Sequence, residues 1–476
     1  MRRSRQVLIV DDRRSYRGIE ILVAATHVAS EIERVSGARS TAILVPASGA
    51  FPIAALAAWM LGRTVVPLNF LLAREELQYV IDDCETDTVV TVGPMLDHLG
   101  YTPQAENIIL LDQIEFRRFP ELRWPARAGW DDLAALLYTS GTSGKPKGVM
   151  LSHGNILSNV RQVLSVVPFS REESLLGVLP QFHSFGFTVL TVLPLMVGMK
   201  AVYQARFQPT KVLQAMREHR PQFFVGIPSM YNALLNVKSA KADDFASFRY
   251  LISGGEPLPR DVADRFKERF GKPIREGYGL TETSPVTHVC REGAERDGTV
   301  GRGVTDVLTR IVDLDRQVEV PPGRDGEIRL KGPNIFKGYW KLPDESAAAF
   351  DAEGWFRTGD IGRLDADGLL AITGRHKEMM IVGGENVFPR EIEEVLNRHP
   401  AVQASGVIGV MDPIRGEVPV AFIEIAEGAE FDESALRSHC REHLAGYKVP
   451  RDIRPVESLP RNPTGKIMRR QLKSLL

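Results

Sequence analysis

Apolar positions along this chain fall into two recurring patterns. Short unbroken runs read as buried strands: Val7–Val10, residues 41–45, Thr64–Pro67, and residues 88–92, 133–138, 175–179 and 223–225. Between them, apolar residues recur every three or four positions, the spacing of one helix face. Ile21, Leu22, Ala25, Val28, Ala29 and Ile32 make such a face, and residues 75–83, 153–166, 211–219 and the stretch from Pro228 also read as helices. Ser152 stands at an N-cap, where its side chain can accept from the first backbone N–H groups of the helix that follows. Strands alternating with helices predict an α/β fold with largely parallel sheets. Two stretches break that rhythm. Residues 97–130 are weakly patterned and predict a surface excursion; residues 301–332, turn-rich and alternating, predict a small antiparallel barrel or sheet. Further on, a helix over 389–398, strands near 405–410 and 419–425, and a helix over 432–444 make a compact α+β unit.

Composition narrows the class without naming a function. A chain of 476 residues folds as more than one domain. With 43% hydrophobic and 25% charged residues it is ordinary globular protein, and a net charge of −1 argues against nucleic acid as a partner. Cys84, Cys290 and Cys440 lie far apart with no Cys-x-x-Cys pair, which predicts a reducing, cytoplasmic setting and no metal knuckle. The apolar run after the basic start stops at Asp11-Asp12, too short for a signal peptide. Residues 42–62 carry no charge and reach the length of a membrane span, but Pro46, Gly49 and Pro52 break them into a strand, a turn and a buried helix. No transmembrane segment is expected.

The chemistry concentrates after the strand at 133–138. Thr139, Ser140, Gly141, Thr142, Ser143, Gly144, Lys145, Pro146 and Lys147 offer hydroxyl donors, glycines that can turn backbone N–H groups to one point, and two positive charges. Such a loop is built to hold a polyphosphate. It is not a Walker loop: counted from Gly141 or from Gly144, the Gly-Lys-Ser/Thr register meets Pro146 or Val149. A GTPase or kinase is thereby disfavoured.

Residues 138–148 resemble the signature phosphate loop of the adenylate-forming superfamily, which includes acyl-CoA synthetases, amino-acid adenylation domains and luciferases. Further motifs follow in that family's order. Pro180-Gln181-Phe182-His183 resembles its Pro-x-x-His segment, which implies that His183 flanks the carboxylate pocket. Gly254-Gly255-Glu256-Pro257 matches the segment lining adenine and acyl channel. Glu276-Gly277-Tyr278-Gly279-Leu280-Thr281-Glu282 fails as a dinucleotide Gly-x-Gly-x-x-Gly, since Glu282 takes the sixth place. The resemblance implies instead that Tyr278 and Gly279 meet adenine, Thr281 the α-phosphate, and Glu282 a magnesium ion. Arg357-Thr358-Gly359-Asp360 implies that Asp360 accepts from the ribose hydroxyls, and Arg375 contacts ribose or phosphate. Lys377 falls at the family's hinge, Gly383-Gly384-Glu385 on the loop presented to the thioester-forming site, and Lys466, in Pro460-Arg461-Asn462-Pro463-Thr464-Gly465-Lys466, at the catalytic lysine.

The resemblance therefore implies a large N-terminal domain over residues 1–374, of stacked α/β subdomains plus a small β-barrel-like part. A small mobile α+β domain would follow over 375–476. It also implies ATP, Mg²⁺ and coenzyme A, a carboxylic acid activated to acyl-AMP with loss of pyrophosphate, and acyl transfer to a thiol. Gly186 stands where amino-acid adenylation domains commonly carry an aspartate for the substrate ammonium, which disfavours an α-amino acid. An apolar, fatty acid is expected, with an aryl acid or acyl carrier protein as the competing substrate and acceptor. A non-catalytic acyl or nucleotide binder would be signalled by loss of Lys466, Asp360 or Glu282, and all three are present. His439-Cys440-Arg441-Glu442-His443 has the form of a zinc-protease motif, but no third ligand is evident and a polar helix face is the plainer reading.

Overall fold

The computed structural model describes residues 6–121, 123–140, 145–412, 416–461 and 467–476. Two large sheets carry most of them. The first, six-stranded among the described residues, runs in the order Asn107–Leu110, Thr88–Thr91, Ser40–Leu44, Thr64–Pro67, Leu133–Ser140, Pro146–Ser152. Its first five strands are parallel neighbours, and the last pair is an antiparallel hairpin. The second, nine-stranded sheet has Tyr250–Ser253, Phe223–Gly226, Ser174–Gly177 and Lys200–Tyr203 parallel at its centre. Antiparallel strands close its two edges. A largely parallel sheet needs both faces covered, so Ser174–Gly177, Phe223–Gly226 and Tyr250–Ser253 are mostly apolar and buried at every position.

Helices Gly18–Val35 and Ala50–Met60 cover the first sheet and share one hydrophobic core with the second. Ile21, Ala25, Val28, Ala29 and Ile32 are buried as their spacing predicts. Leu22 is 53% exposed, because a face drawn through Ile21 and Ala25 turns its neighbour outward. The uncharged stretch over 42–62 is the expected strand, turn and buried helix. No helix among the described residues is long and apolar enough to cross a membrane.

Two features of the sequence reading are corrected. Residues 97–130 are not only an excursion: a helix Gly93–Leu99 runs into them, and Asn107–Leu110 is the edge strand of the first sheet. The glycine-hydroxyl stretch is also less of a loop than its composition suggests. Thr139 pairs with Lys147 and Ser140 with Pro146 in the hairpin ladder, so the strands run to within a few residues of each other.

The turn-rich region becomes an antiparallel four-stranded sheet, Leu308–Val312, Gly326–Lys331, Phe356–Leu364 and Leu370–Arg375, around Ile311, Ile328, Leu330 and Leu370. Beyond it, Met380–Val382, Glu385–Val387, Val402–Asp412, Gly416–Ile425 and Asp452–Val456 form a further sheet. Helices Pro389–Leu396 and Glu433–His443 pack on it around Val387, Ile392, Leu396, Val407, Ile423 and Leu436. This gives a large N-terminal α/β body and a small C-terminal domain with a core of its own.

Candidate active site

A cavity of about 1330 Å³ opens at the C-terminal ends of the central parallel strands of the nine-stranded sheet. That exceeds the roughly 300–1,000 Å³ of a site for one drug-sized ligand, so it has room for more than one. The hairpin contributes Thr139 and Lys147, and the segment after Ser174–Gly177 contributes His183, Ser184 and Phe185. Gly254, Gly255 and Glu256 follow strand Tyr250–Ser253; Tyr278, Gly279, Thr281 and Glu282 follow or end strand Arg275–Gly279. Asp360 comes from the four-stranded sheet, and Arg375, His376 and Lys377 form the rim where that sheet leaves for the C-terminal domain.

At one end the geometry suits a nucleoside. The Tyr278 hydroxyl donates to Asp360 Oδ2 at 2.7 Å, and Arg375 Nε lies 2.9 Å from Asp360 Oδ1. Asp360 is 3% exposed, so its charge is compensated by Arg375 rather than by water. Burial, then the Asp360 carboxylate, push the Tyr278 phenol well above its usual range and keep it a donor. The same carboxylate raises Arg375.

Further along, Glu282 Oε1 accepts from the Tyr339 hydroxyl at 2.9 Å, and its backbone carbonyl accepts from Phe336. Burial raises the Glu282 carboxyl, so its ionised form is costly here without a counter-charge. Magnesium is bound by one or two carboxylates plus phosphate oxygens and water, and Glu282 fits that demand. Among the described residues no cluster of three or more His, Cys, Asp or Glu is placed to hold a metal by protein ligands alone. The Thr281 and Ser184 hydroxyls are 3.2 Å apart. His183 Nδ1 accepts from the Phe185 N–H at 3.3 Å, which leaves Nε2 to carry the proton of the neutral ring.

Glycine is required at two places here by close approach. A Cβ on Gly254 would come within 2.9 Å of the Phe185 ring, and one on Gly279 within 1.7 Å of the Pro285 carbonyl. Gly186 has a similar reason. Its Cβ would lie 2.0 Å from the Pro180 carbonyl, so the backbone excludes an aspartate there whatever the substrate.

Not every candidate lies on the cavity. Lys145 sits over the Tyr79 ring at 5.0 Å, and Pro257 is exposed outside the lining. Gly383, Gly384 and Glu385 are exposed at a β-turn away from it. Lys147 is 3.7 Å from Glu345. Ser140 ends its strand, and Gly141, Thr142, Ser143, Gly144 and Lys466 lie outside the described residues. Sequence reading passed over Tyr339 and Ser184. Tyr339 stands in Gly338-Tyr339-Trp340, whose aromatic pair was a signal without an address until the fold set it against Glu282. The His439 motif is a helix face: Nε2 of His439 contacts the Val395 carbonyl at 3.0 Å.

A family model for AMP-binding enzymes matches residues 2–340, and one for the AMP-binding enzyme C-terminal domain matches residues 391–466. The chain belongs to the AMP-binding enzymes. It is similar to a feruloyl-CoA synthase of Amycolatopsis sp, 35% identical over 422 residues, which covers 87% of this chain and 84% of that protein. It is also similar to a long-chain-fatty-acid–CoA ligase of Bacillus subtilis, 33% identical over 453 residues, 86% and 81% covered. Among solved structures, ATP-bound MatB from Rhodopseudomonas palustris superposes with a TM-score of 0.91 at 30% identity, over all of this chain and 96% of that one. The apo crystal structure of MatB gives 0.82. This AMP-binding enzyme is thus an AMP-forming acid–thiol ligase, which joins a carboxylic acid to a thiol through an adenylate.

Proposed function

We propose that this enzyme activates an apolar alkyl carboxylic acid, a fatty acid, with ATP and transfers the acyl group to coenzyme A. One observation carries the substrate half of that reading. Beside the polar groups, Val163, Val178, Val189, Phe223, Val225 and Val286 line the same cavity, and we read them as an apolar arm that offers an alkyl chain burial.

The nucleoside belongs at the other end, with its ribose hydroxyls on Asp360 and its base beside Tyr278. Bringing a carboxylate to the α-phosphate opposes two anions, about 4 kcal/mol for unit charges 4 Å apart at an effective dielectric near 20. Lys147 on the hairpin and Lys466 of the C-terminal motif offset that repulsion, and a magnesium ion held by Glu282 supplies further positive charge to the phosphates. Thr281 and Ser184 donate to phosphate oxygens, and the His183 Nε2–H to the acid. Attack by the carboxylate oxygen on the α-phosphorus forms acyl-AMP and expels pyrophosphate. The thiol sulfur then attacks the acyl carbon and AMP leaves with the electron pair. No protein nucleophile is needed.

We place the domain boundary between residues 374 and 375, with Lys377 as the hinge about which residues 375–476 rotate between the two steps. The better superposition on an ATP-bound relative than on its apo form supports an arrangement suited to the first step. Three free, buried cysteines fit work in the cytoplasm.

ATP–pyrophosphate exchange with alkanoates, aryl acids and amino acids tests the substrate, and thioester formation with coenzyme A or acyl carrier protein tests the acceptor. Exchange driven by alkanoates and thioester formed with coenzyme A are expected. Exchange confined to aryl or amino acids would overturn the substrate assignment, and exchange with no acid at all the role of the site.

A further inference from the structure

We infer that Phe169 is the end wall of the acyl arm and sets the longest acid the enzyme accepts, an alkyl acid of medium length. This inference rests on the fatty-acid reading of the site.

The arm has a direction and a depth. Phe223, Val225 and Ile227 all line it, and residues two apart on a strand share a face, so it follows the strand Phe223–Gly226 back from the reaction centre. Four residues of strand make about 13 Å. The helix His153–Val166 contributes Val163, and Val167 and Phe169 follow it in the chain. Stacked rings stand there, two of them in the lining. Phe169 lies on Phe223 at 4.3 Å between centroids and 28° between planes, and Phe223 lies on Tyr250 at 5.6 Å and 7°. The Arg249 guanidinium covers Phe223 and Tyr250 at 5.2 and 5.5 Å. It pairs with Glu173 at 3.3 Å and donates to the Pro168 carbonyl, so it braces the turn that carries Phe169.

The two rings of the first stack differ in what they hold up. Phe223 is fully buried in the central sheet, and its loss opens the core. Phe169 stands on the loop between that helix and strand Ser174–Gly177 and is partly exposed. Its ring is stacked on Phe223, lines the cavity and is still partly exposed, so we read it as the boundary a long chain would have to pass. A methylene buried in the arm is worth roughly fourfold in kcat/KM, and that gain stops where the wall begins.

Exchange rates are measured for wild type, Phe169→Ala and Phe169→Trp with butyrate, octanoate, dodecanoate and hexadecanoate. The readout is the ratio of kcat/KM between acids within each protein, which cancels any difference in folded fraction. Phe169→Ala is expected to raise the hexadecanoate-to-octanoate ratio at least tenfold, and Phe169→Trp to lower the dodecanoate-to-butyrate ratio by a similar factor. Wild-type exchange with alkanoates and the same length profile in all three proteins would overturn the end wall while sparing the fatty-acid reading. Wild-type exchange with no alkanoate would remove both.

Discussion

At the scale of single residues, two carboxylates carry separate consequences, one for the cavity and one for stability. Asp360 holds Tyr278 on one oxygen and Arg375 on the other, so its charge organises the end of the cavity where we propose the nucleoside binds. Hydrogen bonds to charged groups are worth about 1.5–3 kcal/mol, and Asp360→Asn should therefore raise the KM for ATP about 10- to 100-fold in pyrophosphate exchange. Glu276 lies in the strand Arg275–Gly279 that carries Tyr278. Its Oε2 accepts from the Leu258 N–H at 3.1 Å, and burial pushes its carboxyl up to about 7. Between about 4.5 and about 7 the folded protein thus holds a proton that the unfolded chain has lost. The stability linked to Glu276 is complete below about 4.5 and is lost as the pH rises through about 7. Glu276→Gln, which stays neutral and can still accept from Leu258, should remove that slope, on the order of 1–2 kcal/mol after discounting for water at the carboxylate. Thermal unfolding of both proteins across this range checks it, and parallel curves would refute it. Asp360 was legible from its motif. Glu276 was not, because only burial distinguishes it from any strand glutamate.

Among the elements, the helix His153–Val166 links sequence and site most directly. Its Ser152 side chain accepts from the Asn155 N–H at 3.1 Å, and Asn155 reaches across to the carbonyls of Pro333 and Ile335 at 2.9 and 2.8 Å. Ser152→Ala should cost about 1 kcal/mol, read as a lowered midpoint in thermal or denaturant unfolding, whereas Ser152→Asp should recover most of it. The cap could be read in advance because it is local, a side chain and a backbone N–H three residues apart. The strand Asn107–Leu110 could not. It is an edge strand with Asn107, Ile108 and Leu110 partly exposed, and its partner Thr88–Thr91, rather than its own pattern, makes it a strand.

For the molecule as a whole, the two steps of the proposed reaction ask for two arrangements of the C-terminal domain. Lys466→Ala should slow acyl-AMP formation by about 10²–10³, the scale for losing one transition-state charge contact, while sparing thioester formation from supplied acyl-AMP. Equal losses in both steps would contradict a rotating domain. Lys377→Pro, which stiffens the backbone at the rim of the cavity, should impair the thioester step more than exchange. An undiminished yield of thioester would rule out the hinge there.

The sequence by itself determined the alternation that makes an α/β fold, the helix caps, and the ordered motifs from Thr139 to Lys466, because each depends on residues close together in the chain. Only the tertiary structure decided that Tyr339 meets Glu282 across 57 residues. It also decided that the Phe169 ring stacks on Phe223 of the central sheet. Those facts depend on which surfaces come together when two sheets bury a common core, and no local spacing encodes that distance.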